Sequence, residues 1–344
     1  MESANFEFPG GVRLRIQGPR SAVAHFIDEY GHCIVPGHDP VDALVTIGGP
    51  SDATPHGTAG GHKTVGWRVA VDAESAHPLA LWVATHGRPQ SFVRSLVQGY
   101  FVEPLVSLVA PGRGLALVPA AAIALDDGLV LVLGRSRAGK STLAARAMAN
   151  GRTVLGDDQV FVDRSGRCWP FPRRLRFYPD LAETAPAAYA RLRPRTRRAL
   201  VLRRWMARLS RGWVRPSLAV DRTELAGDWT PAGLPIRRIV LIERSSSAAS
   251  FQVTPALRAD AVEMGASLLD EQRTRLADAA GAAWKQRFVE VQATESSILS
   301  DGFASIAVER IVVPDQWAAG ASISALARQL GLDDSGPRRP VSHR

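Results

Sequence analysis

The sequence predicts an α/β fold, and three observations carry that expectation. A short apolar run at 129–133 feeds a glycine-rich turn and then a helical stretch at 141–149. The next apolar segment, 153–155, begins straight after that helix. Further on, strand-like runs at 239–242 and 307–313 alternate with helical stretches at 256–280 and 318–330, the alternation that builds layered α/β domains.

At 344 residues the chain is long for one core. The reading divides it into an α+β region at 1–112, a second and larger region at 113–332, and a polar, proline-containing tail at 333–344 that is expected to be disordered. In the first region, 6–17, 41–47 and 66–71 read as strands, 48–50 and 55–63 as loops, and 90–109 as a helix kinked at Pro104. In the second, 115–118 and 121–125 are apolar, and Asp126-Asp127-Gly128 makes a hairpin turn into the 129–133 strand. Asn150-Gly151 closes the following helix. Asp163-Arg164-Ser165-Gly166 turns the 160–162 strand back toward Cys168 and Trp169.

Hydrophobic residues make up 46% of the chain and charged ones 22%, which places it among globular proteins rather than disordered ones. The start, Met1-Glu2-Ser3-Ala4-Asn5, has neither the basic nor the apolar part of a signal peptide. No uninterrupted apolar run reaches membrane-spanning length. Cys33 and Cys168 offer no disulfide framework and suit a reducing compartment. A cytoplasmic protein without a membrane span is therefore expected.

The net charge of +9 is concentrated. A basic block at 173–215 holds Arg191, Arg193, Arg195, Arg197, Arg198, Arg203, Arg204, Arg208 and Arg211. It fits contact with an acidic peptide or phosphates, and it equally fits a solvated helical face. No helix-turn-helix, zinc finger or RNA-binding signature accompanies it, which argues against nucleic acid.

The most informative segment is Gly134-Arg135-Ser136-Arg137-Ala138-Gly139-Lys140-Ser141-Thr142. It matches the P-loop pattern, strand before and helix after. Gly134 and Gly139 permit turns that a Cβ would obstruct. The loop amides and the helix N-terminus then form a nest for phosphate oxygens. Lys140 is positioned to neutralise the β- and γ-phosphates of a nucleoside triphosphate, and the Ser141 hydroxyl to ligate Mg²⁺. Arg135 and Arg137 could clamp phosphate or an acidic substrate, or point to solvent.

One helix and one short strand later come Asp157 and Asp158. A strand following directly after the loop's helix brings its end near the phosphates. Two carboxylates there can divide the work, one holding Mg²⁺ and the other accepting the proton of an attacking hydroxyl. The metal set expected is Ser141 with Asp158, and the catalytic set is Lys140, Asp157 and Asp158. Neighbours in an extended segment point to opposite faces, so only one carboxylate is expected to face the γ-phosphate.

The P-loop followed by Val154-Leu155-Gly156-Asp157-Asp158-Gln159-Val160-Phe161-Val162-Asp163 resembles the HPr kinase family, with its PEP-carboxykinase-like nucleotide fold. The resemblance covers 115–172 and extends more weakly to about residue 315. It implies a mixed-sheet P-loop kinase domain behind a smaller α+β domain, and an ATP- and Mg²⁺-dependent serine kinase. It also implies that one aspartate of the pair activates the acceptor hydroxyl. Some features depart from true HPr kinase/phosphorylases. Pro119-Ala120-Ala121-Ala122 stands where many relatives carry a histidine, Thr142 replaces a usual glutamate, and the downstream glycine-rich signature is absent. The pattern is more similar to HPr-kinase-related serine kinases of peptide natural-product clusters, such as those of lasso peptides.

Three weaker constellations remain. Trp169-Pro170-Phe171-Pro172-Arg173-Arg174 fits a substrate flap that brings Arg173, Arg174 or Arg176 near phosphates, and equally a plain strand exit. Glu243 fits a Walker-B-like carboxylate or a solvent-facing strand end. His32, Cys33 and His38 match no strong zinc spacing. The lead expectation is a kinase acting on a serine of a peptide or protein. A metabolite kinase and a nucleotide-binding regulatory ATPase are the alternatives. Self-association is left open.

Overall fold

The computed structural model describes residues 1–37, 40–48, 57–72, 77–211, 217–225 and 231–332. It is a mixed α/β structure with two large mixed sheets. The tail at 333–344, with its expected disorder, lies outside the described residues.

The first sheet opens with a hairpin of β1 (Glu2–Phe8) and β2 (Val12–Gly18). This corrects the single strand expected at 6–17. Phe8 pairs with Val12, and Gly10 and Gly11 take φ of +82° and +80° to reverse the chain. Helix α1 (Arg20–Tyr30) follows, then β3 (Ile34–Val35), β4 (Ala43–Gly48), β5 (Thr58–His62), β6 (Val65–Val71) and β7 (Leu79–Gly87). β5 occupies part of the segment expected to be a loop. The strand order is β3-β1-β2-β4-β7-β6-β5, with β2, β4 and β7 parallel and the other pairs antiparallel. From Ala4 onward in β1 and throughout β2 every second residue is buried, as a sheet covered on one face requires.

The kinked helix expected at 90–109 is α2 (Gln90–Val97) and α3 (Glu103–Val109), joined by a π turn at Gln98–Val102. Pro104 lies in the first turn of α3 and has no N–H to donate. The helix widens just before it, and the Glu103 N–H bonds the Gln98 carbonyl five residues back. All of α3 is buried. The path Gln90–Arg113 is long and apolar enough to cross a membrane, yet 72% of its most apolar window is buried inside the protein. It is a core helix here.

The second sheet carries the glycine-rich loop. Its strands are β8 (Leu115–Val118), β9 (Ala120–Leu125), β10 (Gly128–Gly134), β11 (Val154–Gly156), β12 (Val160–Asp163) and β13 (Arg167–Pro170), joined later by β16 (Leu234–Ser245), β17 (Gln252–Pro255) and β18 (Ala307–Pro314). One wing runs β11-β9-β10-β16-β18-β17, and the other runs β8-β12-β13. The long strand β16 joins them. Pro235 and Leu234 pair with β13, while its remainder runs parallel to β10 on one side and β18 on the other. A small ladder of β14 (Leu175–Phe177) and β15 (Leu218–Val220) lies apart. Between its strands come α5 (Leu181–Thr184), α6 (Pro186–Arg191) and α7 (Pro194–Leu209).

Alternation on β10 sorts its side chains. Val130 and Val132 pack with α4 (Lys140–Ala149) and with α10 (Ala319–Gln329). Leu129, Leu131 and Leu133 pack with α8 (Arg258–Ala280) and α9 (Lys285–Gly302) on the other face. Both faces are covered, so β10 reads as a continuous apolar run. The expected boundary near residue 112 falls in the turn Ala110–Arg113. A single core cluster passes across it, joining Phe6, Phe8 and Leu105 to Leu117, Phe161, Phe171 and Trp284.

Candidate functional site

Strand β10 runs to Gly134 and α4 begins at Lys140, with the loop between them. Glycine is required at both ends. A Cβ on Gly134 would sit 2.9 Å from the Ile242 carbonyl of β16, and Gly139 has φ of +104° with Ile323 of α10 leaning on it. Arg135, Ser136 and Arg137 are exposed and Ala138 is buried. Arg137 holds φ of +70°, a left-handed conformation that is uncommon for a residue with a Cβ. Ser141 and Thr142 are half-buried in the first turn of α4.

Lys140 is buried, and its ammonium donates to the carbonyl oxygens of Gly134 and, at 3.3 Å, Arg135. Burial pulls its pKa below the usual lysine value, while the carboxylates of Asp158, Asp157 and Glu271 act to raise it. Glu271 comes from α8, beyond any motif.

The strand-end pair lies in a bend after β11, and its members occupy opposite environments. The Ser141 hydroxyl donates to the Asp157 backbone carbonyl at 3.4 Å, which ties the bend to the first turn of α4. Asp157 is 1% exposed, and among the described residues no side chain hydrogen-bonds its carboxylate, with the Arg176 backbone N–H the one group directed at it. Burial pushes its carboxyl above the usual range. Arg173 and Arg222 oppose that push, and Asp158 adds to it. The Asp158 side chain is 42% exposed and pairs with Arg173 at 3.2 Å.

Arg173 therefore sits at the centre. The same guanidinium nitrogen also reaches Glu103 at 3.1 Å. Burial acts to lower Arg173, but Glu103, Asp158, Asp157 and Glu29 outweigh it and hold the guanidinium firmly charged. Glu103 is buried and accepts from Gln98 at 2.8 Å and Gln159 at 2.9 Å. Desolvation raises its pKa, with Arg173 foremost among the groups that lower it. Gln98 passes the network on to Glu29, His25 and Arg176. A chain of buried polar groups thus runs from α1 and the π turn to the aspartate pair. Arg222 approaches from the other side, donating to the carbonyls of Val154 and Leu155 at 2.9 and 3.1 Å. Tyr178 is 49% exposed; burial raises its pKa, Asp158 adds to that, and Arg173, Arg137 and Arg176 oppose it.

The segment after β13 divides its arginines. Arg173 meets Glu103 and Asp158, Arg176 meets Glu29, and Arg174 donates to the Ala219 carbonyl. Phe171 is fully buried against Phe8, Tyr30 and Phe161. The rest of the basic block, as far as Arg211, lies on α6, α7 and the turn after them. There Val201, Leu202, Trp205, Met206 and Leu209 are exposed. Residues 212–216 lie outside the described part.

The remaining constellations do not join this site. Glu243 is paired with Arg310 across β16 and β18. Cys33 is buried, its thiol pushed up to about 12 by desolvation, and His38 lies outside the described residues. Among the described residues no group of three or more His, Cys, Asp or Glu could hold a metal ion. That does not bear on Mg²⁺ held by one or two protein oxygens together with phosphates.

Glu103, Gln98, Gln159, Arg222, Glu271 and Tyr178 were not anticipated from sequence. Glu103 alone had a readable signal, as a lone acid inside the apolar stretch Phe101-Val102-Glu103-Pro104-Leu105. Compared with models of known protein families and with curated proteins, the chain matches none.

Proposed function

We propose that this protein is an ATP- and Mg²⁺-dependent phosphotransferase that passes the γ-phosphoryl group to a serine hydroxyl of a peptide or protein. One observation carries the reading. A strand–loop–helix unit with the phosphate-binding pattern stands beside a buried aspartate that no other described side chain hydrogen-bonds, with a second, accessible aspartate next to it. Orphaned buried carboxylates are rare in folded proteins and concentrate at functional sites.

The loop amides, the N-terminus of α4 and Lys140 would hold the β- and γ-phosphates. For that, Lys140 exchanges the carbonyls of Gly134 and Arg135 for phosphate oxygens. An acceptor hydroxyl arrives from solvent, so its base must be reachable. Asp158 is half-exposed and Asp157 is not, which assigns the proton to Asp158. The serine oxygen then bonds phosphorus while the bond to the departing ADP breaks. Asp157 and the Ser141 hydroxyl fit Mg²⁺, because the buried Asp157 carboxylate has no side-chain hydrogen-bond partner and a cation would neutralise it. This differs from the expected metal role of Asp158, whose carboxylate is already engaged by Arg173. Bound Mg²⁺ would supply charge neutralisation across the phosphates.

The acceptor class follows from α7. Its exposed apolar residues stand among arginines, and no acidic residue occurs between Glu183 and Asp221. Such a face suits a macromolecular acceptor with acidic character better than a small metabolite. The test is incubation with radiolabelled ATP, Mg²⁺ and serine-containing acidic peptides, read by mass spectrometry. Phosphoserine that depends on Asp158 supports the reading. Label transferred only to small hydroxyl compounds, or hydrolysis without transfer, rejects it.

A further inference from the structure

One edge of the second sheet gathers more than the loop and the aspartates. β9 runs antiparallel to β10 and β11 antiparallel to β9, so β11 ends on the same edge as β10. β16 and β18 run parallel to β10 and end there too. In strand order this edge carries Asp157 and Asp158 after β11, the Gly134–Lys140 loop after β10, and the turns that follow β16 and β18. Strands lie about 4.8 Å apart, so the aspartates start about 10 Å to one side of the loop. The turns after β18 start about 10 Å to the other side, by the same spacing.

On that far side stands an aromatic pair. Phe251, beyond β16, and Trp317, beyond β18, stack with their ring planes 15° apart and centroids at 6.2 Å. Both are partly exposed. Phe251 rests against the core beside α4, whereas Trp317 is in none of the core clusters. The turns that carry them are laced together. Asp315 N–H donates to the Ser245 carbonyl at 3.0 Å, Gln316 Nε2 to the Ala248 carbonyl at 3.0 Å, and Arg244 pairs with Asp315 at 3.2 Å. Trp317 also leads directly into α10, whose Ile323 leans on Gly139 of the loop. The pair is thus held rigidly beside the phosphate nest.

The geometry points to Trp317, backed by Phe251, as the stacking platform for the nucleobase of a bound nucleotide. The inference rests on the phosphotransferase reading. With the γ-phosphate facing Asp157 and Asp158, a nucleoside leaving the loop on the side away from them runs toward β16 and β18. A flat, fixed aromatic face there suits a planar heteroaromatic base, and stacking of this kind tolerates different bases. Purine nucleotides, with the larger ring area, are therefore favoured over pyrimidine nucleotides, with modest discrimination within each class.

The test measures binding of ADP, ATP and inorganic tripolyphosphate to the full chain by calorimetry, with Mg²⁺ present. Trp317→Ala should weaken ADP and ATP by about 10-fold, the scale of one lost base stack, and leave tripolyphosphate unchanged. Trp317→Phe should restore most of the loss. The tryptophan fluorescence difference between wild type and Trp317→Phe should be quenched by ADP and not by tripolyphosphate. Unchanged ADP affinity in Trp317→Ala overturns the platform, as does an equal loss for tripolyphosphate. Tripolyphosphate binding as tight as ADP in the wild type removes the base site but keeps the phosphate nest. If neither ligand binds the wild type, the phosphotransferase reading falls with it.

Discussion

Two buried arginines in this protein are surrounded very differently. Arg273 of α8 lies 2% exposed and donates to both oxygens of Glu295, to the Ser107 hydroxyl at 2.8 Å and to the Ser107 carbonyl at 3.1 Å. Each nitrogen of its guanidinium has a partner. Arg173 is nearly as enclosed, its side chain 10% exposed, yet among the described residues its Nε has no partner, nor have Gln159 Oε1 and Arg222 Nε near it, and no side chain hydrogen-bonds Asp157. The first cluster pins α8 to α9 and α3. The second leaves several polar atoms without a protein partner among the described residues. Unsatisfied buried groups carry a desolvation penalty of about 1–3 kcal/mol each, so several gathered in one place single out this cluster as the candidate for contact with water, an ion or a ligand.

The largest effect expected on this contrast is at the loop. Lys140→Ala should lower phosphoryl transfer by about 10²-fold or more, the usual consequence of losing one preorganised charge at a transition state. The thermal midpoint should stay near that of the wild type. Steady-state assays beside thermal melts check it, and retained transfer removes the reason for treating the Arg173 cluster as functional. Replacing both aspartates, Asp157→Asn with Asp158→Asn, should bring transfer down to background while the protein stays folded, because the proton acceptor and the metal oxygens are lost together. Circular dichroism and the transfer assay separate those two statements.

Arg273→Ala should act in the reverse manner. It strands Glu295 in the interior and should destabilise the fold by about 3–5 kcal/mol in denaturant titration. Nucleotide affinity per folded molecule should be unchanged, and a selective loss of affinity would break the contrast.

The smallest effect concerns pH. Burial holds Asp157 above the ordinary aspartate value of 3.8. The folded protein therefore binds that proton more tightly than the unfolded chain does. The associated stability is complete below 3.8 and is lost as pH rises through the raised folded-state value. Without nucleotide, Asp157→Asn should flatten this decline and melt roughly 2 °C higher at neutral pH, about what 1 kcal/mol gives a chain of this size. An unchanged pH–stability slope would show that Asp157 is already compensated.

Much of the candidate site was legible because its determinants are local. Gly134, Gly139, Lys140 and Ser141 sit within one turn of chain, and their spacing is dictated by the strand-to-helix bend itself. Asp157 and Asp158 follow by one helix and one strand. The hairpins at Asp127 and Ser165 were readable from turn residues. The reversal at Gly10-Gly11 carried the same kind of signal, but the apolar alternation on both sides concealed it. Helix α9 has few buried apolar positions, among them Ile298 and Leu299, and long β7 carries no clean alternation to mark it. The fate of Arg173 was open between flap and strand exit, because its partners lie far off in sequence.

What the sequence by itself determined is the short-range part: a strand, a glycine-rich loop and a helix, followed by an acidic pair at the next strand's end. Those follow from glycine conformations, apolar periodicity and helix capping, which act over a few residues. Only the tertiary structure decided which aspartate is buried and which is reachable. It also placed Glu103, at the start of α3, beside Arg173 and set Trp317 on the far side of the loop from the aspartates, along the same sheet edge. These depend on strand order and on packing between segments tens to hundreds of residues apart, where desolvation and pairing are properties of the assembled interior and of no local stretch of chain.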